Sequence, residues 1–168
     1  MLHLDATNPA ACVEMARAAR LSGTIVSADI NHVFDEIEDF LPLVDILITH
    51  EDFPLQLTGA NDTRTALRAI KSSYNCALVG ATLGARGAIL FCEDQFLEAD
   101  AFQVPGGCRD TTGAGDAFHA GFLYGLLRDE EIETSLKLGC AVAALKCHKS
   151  GARAGLPTRI ELEEFVGV

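Results

Sequence analysis

Leu43-Val44-Asp45-Ile46-Leu47-Ile48-Thr49 is a short apolar, β-branched run, and what surrounds it decides the fold. A run of this length and composition reads as a buried strand. Glu51 to Leu57 follows as a short helix closed by Gly59, Asp62 caps a helix to about Ser73, and Cys76–Thr82 returns as a strand. Strand, helices and strand make one βαβ unit, which implies parallel pairing. Working outward, the same alternation holds upstream. Leu2–Asp5 is a predicted strand. Asn8 or Thr7 caps a helix with Pro9 in its first turn, Cys12, Val13, Ala16, Ala19 and Leu21 at helical spacing, and Gly23 at its end. Thr24–Ile30 is a second β-branched strand, and Phe34 to Leu41 is a short amphipathic helix stopped by Pro42. Downstream, a tight turn at Gly84–Gly87 leads to the strand Ala88–Cys92, and Gln95–Val104 is extended. Helices then run from Thr112 to about Leu127, from Ile132 to about His148, and over Ile160–Val166. The expected fold is a single α/β domain over residues 1–168, with a mostly parallel sheet covered by helices on both faces. Right-handed crossovers gather the loops after the strands at one sheet edge, where ligands of such folds bind.

The bulk composition narrows the partners. The 168 residues are 49% hydrophobic and 22% charged, with a formal net charge of -11. An acidic chain is a poor match for a phosphodiester backbone or an anionic membrane, so neither nucleic acid nor membrane is an expected partner. No apolar run is long enough to span a bilayer, and Met1-Leu2-His3-Leu4-Asp5 does not read as a signal peptide. The six cysteines, Cys12, Cys76, Cys92, Cys108, Cys140 and Cys147, form no Cys-x-x-Cys pair. Zinc is not expected, and reduced thiols in a cytoplasmic protein are.

The chemistry concentrates in Asp110-Thr111-Thr112-Gly113-Ala114-Gly115-Asp116-Ala117-Phe118, which leads directly into an apolar helix. Small residues ahead of a helix let a ligand approach the backbone closely. The unpaired N–H groups of the first turn, with the helix dipole behind them, then attract an anion. A carboxylate in the same turn, Asp116, has to share that site with the anion. That pairing is useful if the carboxylate takes a proton from an attacking hydroxyl while the amides hold phosphoryl oxygens. The loop is neither a Walker P-loop nor a Gly-x-Gly-x-x-Gly dinucleotide fingerprint.

This string resembles the second signature of the ribokinase-like (PfkB-type) carbohydrate kinases. The resemblance implies a ribokinase-like fold and ATP-dependent phosphotransfer to a hydroxyl of a sugar or related small molecule. It makes Asp116 the catalytic base and the Gly113-Ala114-Gly115 backbone the anion hole, with Thr112 beside the nucleotide. It also places Asp110 next to a monovalent-cation site, so the implied cofactors are ATP, Mg2+ and K+. Thr82-Leu83-Gly84-Ala85-Arg86-Gly87 looks like the family's turn along the nucleotide phosphates, which puts Thr82, Gly84 and Gly87 in the cofactor site. Gly139 to Cys147, followed by Gly151 and Gly155, resembles the adenine-flanking helix and loop, most closely in the ketohexokinase branch, and adds Cys140 and Gly151. Cys140 and Cys147 also fit as small core residues of a buried helix. Lys146 and Lys149 are expected to be solvated.

The sequence departs from the family pattern in two places. Where many members carry Asn-x-x-Glu, this chain has His50-Glu51-Asp52-Phe53, with Glu51 or Asp52 as substitutes for the acid and Asp29 as a weaker candidate. The family's first glycine signature, most of its sugar-contacting residues and its small β-sheet lid are not recognisable. The chain therefore looks like the C-terminal half of such a kinase. Its expected partners are a small-molecule sugar and either a complementary N-terminal half or a second copy. A nucleotide-binding module without turnover is the alternative function.

Overall fold

The computed structural model describes residues 1–167. Six strands lie in sequence order β1-β2-β3-β4-β5-β6: Leu2–Leu4, Val26–Ala28, Ile46–His50, Leu78–Thr82, Ala88–Cys92 and Gln95–Ala99. The first three pairings are parallel, with Leu2 against Val26, Ser27 against Ile46, and Ile46 against Leu78. The connection between β5 and β6 is the two-residue turn Glu93-Asp94, both at positive φ (47° and 60°), the geometry of a tight antiparallel hairpin. The seven helices are α1 Pro9–Leu21, α2 Ile37–Phe40, α3 Asp52–Thr58, α4 Thr63–Tyr74, α5 Ala114–Leu126, α6 Ile132–Lys146 and α7 Arg159–Val166.

Local signals set the helix boundaries. The Asn8 side chain accepts from the Ala11 amide at the start of α1, with Pro9 in its first turn. Asp62 does the same for α4 through the Thr65 amide. Gly59 and Asn75 close α3 and α4 in left-handed conformations. Thr158 and Glu161 form a reciprocal capping box on α7. Several predicted elements change. The strand expected over Leu43–Thr49 becomes Ile46–His50, because Leu43 is taken up in a 3-10 turn. The strand expected over Thr24–Ile30 narrows to Val26–Ala28, and at its start the Asp45 carboxylate accepts the Val26 amide. The helix expected over 34–41 shortens to α2 and continues as a 3-10 turn, Leu41–Leu43. Pro42 sits inside that turn, where its missing N–H costs nothing. Only Gln95–Ala99 of the expected extended segment pairs as a strand.

The chain forms two compact units. One comprises Met1–Leu83 with Ile89–Leu97; the other comprises Gly84–Ala88 with the chain from Glu98 onward. In the first unit, Val13, Ala16, Phe40, Leu47, Leu67, Ile70 and Val79 bury their side chains in one core between the helices and the parallel strands. In the second, α5 and α6 pack so closely that a Cβ on Gly121, Gly125 or Gly139 would come within 2.7, 2.5 or 2.9 Å of the facing helix. Glycine therefore brings the two backbones together. Leu162 and Phe165 of α7 close the far side, with Phe165 against Phe102 at 5.4 Å between ring centroids.

Candidate active site

α5 begins on Gly113, whose backbone is left-handed (φ 75°). A side chain there would be strained, and its Cβ would lie 3.1 Å from the Ala152 Cβ. The Ala114 amide donates to the Thr111 carbonyl (2.9 Å) and the Ala117 amide to the Gly113 carbonyl (3.0 Å). Between them, the Gly115 and Asp116 amides make no backbone hydrogen bond among the described residues, and Gly113 offers no capping side chain. A Cβ on Gly115 would meet nothing within 4 Å, so the space in front of these donors is open. Asp116 is exposed in this same first turn, and among the described residues its carboxylate makes no hydrogen bond or ion pair. The arrangement can therefore receive an anion on its amides and a proton on its carboxylate.

The loop leading into α5 is fixed by its other contacts. One Asp110 carboxylate oxygen accepts the Thr112 amide (2.9 Å), and the other accepts the Gly151 amide (2.7 Å). These amides, with a smaller contribution from the Lys146 charge, hold the Asp110 carboxyl well below the usual carboxylate range. The Arg109 amide donates to the Cys147 carbonyl (2.9 Å), which ties the loop to the end of α6. The Lys146 ammonium donates to the Asp110 carbonyl (2.7 Å). Lys146 has none of its surface exposed, which corrects the expectation of a solvated lysine; Lys149 is exposed as expected. The signal was present in the helical period. Ser135, Gly139, Val142 and Lys146 follow the four-three-four spacing of one buried face of α6. Around Asp110, where K+ was expected, the carbonyl accepts the Lys146 ammonium and the carboxylate accepts two amides.

Asp110, Thr112, Gly113, Ala114, Gly115, Asp116 and Gly151 are thus brought together within the second unit. Gly84 and Gly87 lie in that unit as well, with φ 59° and 93°. A Cβ on Gly87 would fall 1.9 Å from the Ala99 carbonyl oxygen, so glycine is required for that turn to close. Cys140 is buried, with its thiol 3.8 Å from the Ala99 carbonyl it donates to, and burial pushes the thiol up to about 11. Thr82 belongs to the first unit, where its hydroxyl donates to the Thr49 carbonyl (3.4 Å). Nearby, Phe53 is 1% exposed and is part of the core, so it contributes no ligand. His50 is exposed, with Nδ1 3.2 Å from an Asp52 carboxylate oxygen. Among the described residues no three His, Cys, Asp or Glu side chains cluster as a metal cage.

Residues 2–159 match the pfkB family carbohydrate kinase description. The chain belongs to this family. Within it, the chain is 32% identical over 133 residues to the ribokinase of Haemophilus influenzae, covering 77% of this chain and 43% of that protein. It is similar in structure to the aminoimidazole riboside kinase of Salmonella enterica, solved with aminoimidazole riboside and an ATP analog (TM-score 0.79, 30% identity, 93% of this chain and 57% of that one). It is also similar to a fructokinase double mutant of Vibrio cholerae O395, solved with fructose, ADP and potassium ion (TM-score 0.79, 25% identity, 98% and 59%). The chain spans about half the length of these relatives. They are ribokinase, riboside kinase and fructokinase, and they do not single out the ketohexokinase branch. No helix among the described residues is long and apolar enough to cross a membrane.

Proposed function

We propose that the second unit carries the phosphoryl-transfer half-site of an ATP-dependent sugar kinase, with Asp116 as general base. The supporting observation is one helical turn that presents both open amides and an unengaged carboxylate. In this reading the amides of Gly113, Gly115 and Asp116 face the oxygens of the transferred phosphoryl group, while that of Ala114 holds the turn through the Thr111 carbonyl. They stabilise the charge that spreads over those oxygens as the bond to the leaving group loosens. Asp116 accepts the proton of the attacking hydroxyl. Thr112, Gly84, Gly87, Gly151 and Cys140 are assigned to the nucleotide. Magnesium enters as MgATP, held mainly by the phosphates, in keeping with its reluctance to occupy all-protein cages. The acceptor is a sugar or related alcohol, and the cytoplasm is the proposed location.

The test is Asp116→Asn in the protein that contains this chain, assayed with MgATP against ketoses, aldoses and nucleosides. Asn keeps the shape but is a far poorer proton acceptor, so turnover should fall by roughly 10²–10⁴-fold with ATP affinity retained. Near wild-type turnover would refute the assignment. The limited share of the relatives' length favours a second reading for the chain by itself: it binds nucleotide without turnover. Among the described residues β1 pairs only with β2, so a complementary N-terminal half would add at its free edge. Turnover restored only when that half is supplied in trans would support this; robust turnover by the chain alone would overturn it.

A further inference from the structure

Lys146 is the largest polar side chain with no exposed surface, and the phosphotransfer reading gives it no task. A buried ammonium is costly unless its charge is answered. Its one hydrogen bond among the described residues goes to the main-chain oxygen of Asp110, at 2.7 Å. Asp110 is also the residue whose carboxylate accepts the Thr112 and Gly151 amides, so the lysine holds the main chain of the same residue whose side chain ties down the loop. A Cβ on Gly155 would sit 2.2 Å from the Lys146 carbonyl oxygen, so the chain after the Gly151 loop closes over the lysine backbone. The ammonium thus lies at the junction of three segments: the end of α6, the loop entering α5, and the 149–155 turn.

We propose that Lys146 is a positioning residue whose ammonium serves as a built-in monovalent cation, holding the Asp110–Thr112 loop so that the first-turn amides of α5 point outward. The chemistry matches. A carbonyl and a carboxylate that would otherwise attract a K+ ion meet a fixed positive charge of similar size, delivered covalently on α6. A second cation beside it would face direct repulsion at the same oxygen. The amide array of this chain is therefore pre-organised without added potassium. The proposal rests on the reading of those amides as an anion cradle.

The experiment uses the full 168-residue chain and Lys146→Met, which keeps the length of the side chain and removes its charge. Calorimetric MgATP affinity is measured at matched ionic strength in tetramethylammonium, potassium and ammonium chloride. Amide hydrogen exchange is followed at Thr112 and Gly151 by NMR. For the wild type, affinity should be the same in all three salts. For Lys146→Met, affinity in tetramethylammonium should fall by roughly tenfold or more, the weight of one charge-assisted hydrogen bond, and Thr112 and Gly151 should exchange faster. Potassium or ammonium should restore both, which a merely structural loss would not allow. Potassium stimulation of the wild type, unchanged affinity and exchange in the variant, or a loss that no cation repairs would each overturn the proposal. If the wild type binds no nucleotide, the cradle reading fails by itself. The exchange measurement still decides the lysine's role: unchanged protection at Thr112 and Gly151 refutes it. If Lys146→Met does not fold, Lys146→Gln, which keeps a neutral donor, replaces it with the same expected outcomes.

Discussion

Gly115→Val separates a loop that receives an anion from one that is merely a tight turn. The backbone at Gly115 is helical, not left-handed, and an added Cβ meets nothing within 4 Å. Valine is a better helix former than glycine by a few tenths of a kcal/mol. The fold should therefore tolerate the change to within about 0.5 kcal/mol, which moves Tm by roughly 1–2 °C for a chain of this length. The same side chain fills the space through which an anion reaches the Gly115 and Asp116 amides. Loss of one hydrogen bond to a charged oxygen is worth about 1.5–3 kcal/mol, or roughly 10- to 150-fold in Kd. Gly113→Ala is the companion. Its left-handed backbone costs about 1–2 kcal/mol with any Cβ, and the new atom crowds Ala152 at 3.1 Å. That variant should lose stability as well as affinity. Thermal melts and calorimetric titration with MgATP read the two effects separately. If Gly115→Val melts like the wild type and binds MgATP with unchanged affinity, no phosphate approaches these amides and the proposed site is wrong.

Gly155→Ala should destabilise the chain by about 1–3 kcal/mol, because its Cβ meets the Lys146 backbone at 2.2 Å and backbone cannot rotate away; urea denaturation measures this, and an unchanged midpoint would refute it. Stability should be flat near neutral pH and fall as pH drops below about 4, the ordinary carboxylate value. Asp5, Asp62, Asp110 and Glu161, held by backbone amides, and Glu133, held by Lys137, all titrate below their usual ranges, so the unfolded chain binds protons first. Melting temperatures taken through the acid range test this, and a rise on acidification would contradict it. Of the six cysteines only Cys108 is exposed, so one thiol should react rapidly with a disulfide reagent in the native chain and five more only after unfolding. Rapid release of several equivalents from the native chain would contradict the burial.

The parts of the fold that were readable from sequence are those in which a local signal has one physical outcome. Asn8 and Asp62 start helices and Gly59 stops one through purely local bonds, and apart from exposed His50 the 46–50 and 78–82 strands are runs of leucine, β-branched and small residues. The open first turn of α5 was readable for the same reason: its amides are orphaned by the helix start itself. What escaped were consequences of packing. Phe53 stands where the family's pattern has a polar residue, and only the tertiary fold shows that it is core. Pro42 reads as a helix stop because the sequence does not show that a 3-10 turn continues through it. Lys146 reads as solvated because lysine usually is. Its burial depends on a carbonyl 36 residues away, which no local pattern reveals.

These long-range contacts form a closed circuit. Under the proposed reading, α5 has to present its first turn in a fixed direction for the amides to act together, since misdirected donors contribute little to a developing charge. The glycines answer this by letting α6 approach until backbone and side chain interdigitate at Gly121, Gly125 and Gly139. α6 in turn ends on Lys146 and Cys147, whose ammonium and carbonyl reach back to Asp110 and Arg109 in the loop that begins α5. The start of one helix is thus fixed by the end of its partner, and the Gly151 amide closes the ring through the Asp110 carboxylate. Breaking any one link should disturb the same few amides. It follows that Lys146→Met and Gly113→Ala, although one removes a charge and the other adds a methyl, should have less than additive effects on MgATP affinity when combined.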